Sequence, residues 1–237
     1  MLAFRLLTSV LVLAVSVLAS GTPRIDKNKA ALLVVDHQVG LFHMVKDINP
    51  SEYVNNIVAH AALGPLFSLP TVLTTSAETG PNGPLPKEIL QLHPNSTIVR
   101  RNGEVNAWHS EEFRAAVRAT GRTQFILAGI TTDVCTTFLA LSLVEEGFEV
   151  FANADASGTF NKAIADDAND RMRGAGVQVL SFFAVICELM GDWRSTPGAA
   201  QVLPFLDRFL PSYGYLARAH AAATNNGTIL PGEAGLN

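Results

Sequence analysis

Gln124-Phe125-Ile126-Leu127-Ala128-Gly129, then Ile130-Thr131-Thr132-Asp133, then Val134-Cys135, is the stretch that decides the fold of this chain. The first six residues read as a buried strand and the next four as a tight turn. Val134 to Glu146 reads as a helix closing at Gly147, with Cys135 in its first turn. A strand that delivers straight into a helix is part of a βαβ unit, and the same alternation continues on both sides of it.

Upstream, Ala30 to Val35 is an unbroken apolar run that ends at Asp36, as expected for a strand covered on both faces in a parallel sheet. Ser51 to Ala62 carries apolar residues at helical spacing, with Pro50 just before it. Pro70 to Thr75 reads as a short β-branched strand, Gly80 to Pro86 as a loop and Lys87 to Leu92 as a short helix. Thr97 to Arg100 is a third strand and Glu111 to Ala119 a helix. Downstream, Phe148 to Ala152 and Val177 to Leu180 supply two more strands, with a helix over Lys162 to Gly174 between them. This order predicts a three-layer α/β fold, a doubly wound and mostly parallel sheet with helices on both faces. One domain is expected over residues 21–215. From Pro197 the periodicity weakens, and residues 216–237 read as a flexible tail.

The 237 residues are 48% hydrophobic and 16% charged, a globular composition with room for one core. A net charge of −4, with Lys and Arg scattered, offers no field for a nucleic acid backbone. Residues 1–20 join Arg5 to an apolar run and a small-residue exit, which reads as a secretory signal cleaved after Ala19 or Ser20. The run from Leu6 to Ala19 is about 14 residues, short of the roughly 20 that span a bilayer, so no membrane association is expected after cleavage. A secreted protein is therefore expected, with glycosylation sequons at Asn95 and Asn226. Cys135 and Cys187 are the two cysteines, too few for a disulfide framework, and a catalytic Cys135 requires that they stay unbridged.

In open α/β sheets ligands bind against the carboxyl ends of strands, and Asp36, Arg101 and Cys135 all fall at such ends. A cysteine at a helix start gains thiolate stability from the unpaired N–H groups there, and Arg101 offers a further cation. Asp36, a carboxylate beside six apolar residues, is suited to take the thiol proton as general base. Cys187 sits among apolar residues and reads as core. His37 and His43 flank Asp36 and invite a metal reading, but metal-ligand spacings are missing, so neither a metal nor another cofactor is expected. Phe42, His43, Trp108 and Phe160 are candidates for the substrate pocket, each equally able to serve as packing.

Five motifs in order carry a resemblance. They are Leu33-Val34-Val35-Asp36-His37-Gln38, Arg101-Asn102-Gly103-Glu104-Val105-Asn106-Ala107-Trp108, Ala128 to Cys135, Asp155-Ala156-Ser157-Gly158-Thr159-Phe160, and Cys187-Glu188-Leu189-Met190-Gly191-Asp192-Trp193-Arg194. With them the chain resembles the isochorismatase-like cysteine hydrolases and, among these, the bacterial YcaC-type hydrolases. The resemblance implies a triad of Asp36 as base, Arg101 where the family usually has lysine, and Cys135 as nucleophile. It also implies a cis Ile130-Thr131 peptide and an oxyanion hole formed by the Thr131 and Cys135 N–H groups, and assembly as a homo-oligomer. The implied reaction is hydrolysis of a small amide or related C–N bond on a small-molecule substrate. Vinyl ether hydrolysis of the isochorismatase type is one alternative, and a secreted binding protein without turnover is another. Arginine keeps the positive charge of the triad but cannot carry a proton.

Overall fold

The computed structural model describes residues 22–227. The segment read as a signal peptide and the end of the expected tail lie outside the described residues. Six strands alternate with helices: β1 (Ala30–Val35), α1 (Pro50–Phe67), β2 (Thr71–Ser76), α2 (Lys87–Leu92), β3 (Thr97–Arg101), α3 (Glu111–Ala119), β4 (Gln124–Gly129), α4 (Thr137–Glu145), β5 (Glu149–Asn153), α5 (Lys162–Gly174), β6 (Gln178–Leu180) and α6 (Phe182–Met190). Helices α7 (Ala199–Phe209) and α8 (Pro211–Asn225) complete the described chain. The strands form one sheet in the order β3-β2-β1-β4-β5-β6, and every pairing is parallel. The chain winds outward from β1 to β3, then returns to place β4 on the other side of β1. The β1/β4 boundary is thus the topological switch point where such sheets open a crevice.

Alternation along the strands explains why β1 is apolar throughout. Ala30, Leu32 and Val34 face one core, with Ile126, Ala128, Phe151 and the buried sides of α1, α6 and α7. Ala31, Leu33 and Val35 face a second, with Phe125, Leu127, Val150 and residues of α3, α4 and α5. A strand with a core on each side has no solvent face to fill with polar residues.

The helix expected over Ser51 to Ala62 runs on to Phe67, through Pro65. Proline at 65 leaves the carbonyl of Ala61 without its helical donor. The imidazole of His93 supplies one, its Nε2 donating to Ala61 O at 2.8 Å. Pairing that carbonyl lets the helix pass the proline.

From Pro197 on the structure departs from the sequence reading. Two helices occupy residues read as weakly periodic, and α8 continues ten residues into the expected tail. Their stability comes from tertiary contacts. Trp193 stacks on Tyr213 at 5.6 Å, and Arg218 on α8 pairs with Asp207 on α7. Gly214 permits the close approach, since a Cβ there would lie 2.3 Å from Asp207 Oδ1.

Two histidines are sealed under the first core. His60, on α1, donates from Nε2 to Leu33 O at 3.1 Å and accepts from Asn153 Nδ2 at 3.2 Å. His37 donates from Nε2 to Ala156 O at 2.9 Å. Both are fully buried, and burial pushes their pKa values down, to about 3 for His60 and about 4 for His37. Below the usual value of 6.5 the unfolded chain takes up protons at these sites that the native fold refuses, so acid favours unfolding. The unfolding free energy is expected to fall as pH drops from 6.5 to 5, by about 1 kcal/mol per pH unit for each histidine. Urea denaturation across that range checks it, and a flat profile would contradict neutral burial.

Candidate active site

Asp36 terminates β1 in a left-handed conformation, φ 54°, that few residues besides glycine tolerate and aspartate tolerates better than most. Its N–H donates to Thr74 O at 3.0 Å, and its carbonyl accepts from the Gln38 N–H at 2.7 Å. The chain thereby leaves the sheet abruptly and keeps the carboxylate beneath the strand ends. Arg101, the last residue of β3, lies two strands away and reaches back across β2. Its Nη2 donates to both carboxylate oxygens of Asp36, its Nε to Thr74 Oγ1 at 2.9 Å, and its Nη1 to Glu104 O. Both side chains are 0% exposed.

Cys135 follows β4, but not in the first turn of an α-helix as the sequence suggests. Thr132–Thr136 form a π-helical turn and α4 begins at Thr137. The wider turn arises because the Thr136 N–H bonds to Thr131 O at 3.1 Å, while the Thr137 hydroxyl donates to Thr132 O at 2.6 Å. Single π turns of this kind recur at functional sites. The half-buried thiol is hydrogen-bonded to the Asp36 carboxylate, and the Thr131 N–H is directed at its sulfur. The Ile130–Thr131 peptide is cis.

The electrostatics correct the expectation of a stabilised thiolate. Burial first, and then the Asp36 charge, push the Cys135 pKa well up; Arg101 opposes them and loses. Burial likewise raises Asp36, against the pull of Arg101. One cation, one carboxylate and one neutral thiol make an uncharged cluster. Losing the thiol proton to solvent would leave a net negative charge in a buried site, whereas moving it to Asp36 keeps the cluster neutral. The geometry therefore favours proton transfer inside the site at the moment of attack over a standing thiolate.

Several unforeseen residues hold the surroundings. Gln38 accepts from the Ser76 N–H at 2.8 Å and donates to Ser76 O at 3.1 Å and Gly83 O at 2.5 Å, fixing the Gly80 to Pro86 loop over β2. Thr159 donates to Asp133 Oδ1 at 2.7 Å and ties the segment after β5 to the cysteine turn. Gly129 is required by crowding, since a Cβ there would stand 2.5 Å from Val35 O and 3.1 Å from Thr136 Oγ1. Thr74 is the other residue missed. A two-residue step from Asp36 points to Gln38, but only strand register brings Thr74 to Arg101.

Among the pocket candidates, Trp108 is corrected to packing. It is 6% exposed, lies edge-on to Phe113 and Phe148, and donates from Nε1 to Glu146 at 3.3 Å, at the far end of α4 from Cys135. Phe42 packs edge-on to Tyr53 at 6.0 Å, whereas His43 and Phe160 are exposed. Among the described residues no group of three or more His, Cys, Asp or Glu side chains is placed to hold a metal ion.

Residues 30–182 match the family model described as Isochorismatase domain. The probable hydrolase YcaC of Escherichia coli K12 is 47% identical over 201 residues, covering 85% of this chain and 96% of that protein. A structure of YcaC from Pseudomonas aeruginosa, with hexane-2,5-diol and covalent acrylamide, superposes with a TM-score of 0.82 at 46% identity, covering 86% of this chain and 100% of the other. The 1.8 Å crystal structure of the Escherichia coli YcaC gene product, described as an octameric hydrolase of unknown specificity, gives a TM-score of 0.83 at 46% identity, with coverage of 86% and 99%.

Because Asp36 is sealed from water with Arg101 as its cation, Arg101→Met is expected to cost about 3–5 kcal/mol of stability at neutral pH. The loss should shrink at pH 5, where the stranded carboxylate takes up a proton, and the Arg101→Met/Asp36→Asn double variant should recover much of it. Chemical denaturation of the three proteins at both pH values provides the check.

Proposed function

The chain belongs to the isochorismatase family of hydrolases, and from that premise we propose that it cleaves a small amide or related C–N bond through an acyl-cysteine intermediate. The observation that carries the reading is the Cys135 thiol hydrogen-bonded to a carboxylate that is itself held by a buried guanidinium. In the proposed reaction Sγ attacks the carbonyl carbon as the thiol proton passes to Asp36. The new oxyanion is met by the Thr131 and Cys135 N–H groups, the first of which already points at the sulfur. Collapse breaks the C–N bond, and Asp36 returns its proton to the departing amine. Water then attacks the thioester with Asp36 as base and frees the acid and the thiol. Arg101 stays protonated throughout and carries no proton in either half.

The Pseudomonas aeruginosa relative with covalent acrylamide lends support to the nucleophile half of this reading, since acrylamide carries an electrophilic alkene that captures nucleophiles. The octamer of the Escherichia coli relative supports the proposal that this chain is a homo-oligomer. Cys135→Ser and Asp36→Asn are each expected to lower amide turnover by about 10³-fold or more, with an acyl adduct trapped on Cys135 in the parent protein. Mass spectrometry with a panel of small amides is the measurement. Adduct formation on Cys187, or full turnover by Cys135→Ser, would refute the proposal.

We further propose entry to the secretory route through residues 1–20, with Asn95 as a glycan site. Asn95 is exposed in the turn before edge strand β3, at the end of the sheet opposite Cys135. Asn226 is exposed after α8, although its sequon ends outside the described residues. Secreted from a eukaryotic host, the protein is expected to lose mass on treatment with peptide N-glycosidase, and Asn95→Gln to lose the corresponding glycan.

A further inference from the structure

Arg101 has five N–H donors in one plane, and its side chain, sealed from water, places four of them on fixed acceptors. Two go from Nη2 to Asp36 and one from Nη1 to Glu104 O. These contacts hold the outer edge of the guanidinium at Nη1 and Nη2 and leave its inner edge, at Nε, to be fixed separately. The Nε contact fixes that inner edge and completes the definition of the plane, and its acceptor is the hydroxyl of Thr74 at 2.9 Å. That hydroxyl is itself oriented, because its proton is committed to Val99 O at 2.9 Å on the neighbouring strand. Thr74 pairs with Val99 in the β2/β3 register and is 0% exposed, so solvent does not compete for either contact. The same residue also holds the other partner, since its carbonyl accepts the Asp36 N–H at 3.0 Å. One threonine thus touches acid and cation, through its backbone and its side chain respectively.

We propose that Thr74 is a positioning residue whose hydroxyl locks the plane of Arg101, and through it the placement of the Asp36 carboxylate against Cys135. This rests on the cysteine-hydrolase reading of the site. Valine is nearly isosteric with threonine and cannot accept a hydrogen bond. It would leave the buried Nε–H unpaired, and serine would not.

The test is the second-order rate of Cys135 carbamidomethylation by iodoacetamide in the folded full-length chain at neutral pH, read by peptide mass spectrometry. Thr74→Val is expected to slow it about tenfold and Thr74→Ser to stay within about twofold of the parent. In an Arg101→Lys background Thr74→Val should have no further effect, because lysine has no Nε–H for the hydroxyl to hold. If Thr74→Val does not fold, Thr74→Ala removes the same acceptor and is expected to show the same slowing. Serine as slow as valine, or valine slowing both backgrounds equally, would assign Thr74 to packing and overturn the proposal. A reactive parent whose rate Thr74→Val leaves unmoved would remove this proposal alone. Parent labelling at Cys135 that Asp36→Asn leaves unchanged would remove the hydrolase reading and this proposal together.

Discussion

A carboxylate at the end of β1 and a guanidinium at the end of β3, both sealed from water, set the terms for the rest of the molecule. Ions in such surroundings are destabilising unless each is paired and each remaining donor has an acceptor. Here the acceptors come from three places: the carboxylate, the Thr74 hydroxyl and the Glu104 carbonyl. The pair joins two strands that do not touch, with β2 between them. The alignment of three strand ends is thereby tied to one electrostatic contact, and a slip of β3 by one residue would turn Arg101 to the other face of the sheet.

The same contact accounts for the state of the Cys135 thiol. Helix-start geometry and a nearby arginine would suggest a thiolate, but the Asp36 carboxyl already holds that guanidinium. With the cation shared by two potential anions, the second ionisation is the one suppressed, and the thiol keeps its proton. The π turn and the crowding at Gly129 place the sulfur against that carboxylate. Transfer across this hydrogen bond needs no change in net charge and no exchange with solvent. The site is consequently suited to a reaction whose charge development is brief.

Much of this was legible in the residues, because parallel sheets leave strong signals. The six-residue apolar run of β1 required two cores, and Asp36, Arg101 and Cys135 at strand ends implied convergence before any distance was known. The failures have physical causes. Trp108 looked available because an aromatic beside a polar motif carries no mark of burial, and Phe148 and Glu146, which enclose it, lie about forty residues later in the chain. Helices α7 and α8 escaped notice because they depend on the Trp193–Tyr213 stack and the Arg218–Asp207 pair more than on their own periodicity. Thr74 was one threonine in a β-branched strand, and its role exists only in the register between β2 and β3. Pro65, a reason to end a helix locally, is tolerated through a histidine 28 residues downstream.

The two-sided architecture also bears on redox chemistry. Cys135 packs with the core on one side of the sheet, whereas α6, which carries Cys187, packs with the core on the other, close to Tyr213. The β-sheet is a partition between the two thiols of the protein, and both are free. A sulfenic acid formed on Cys135 has no resolving cysteine within the native chain and must be met by a thiol from outside it. The fold therefore isolates Cys135: disulfide formation within the chain is closed to it as long as the sheet is intact, and reversal of oxidation depends on the thiols of its surroundings.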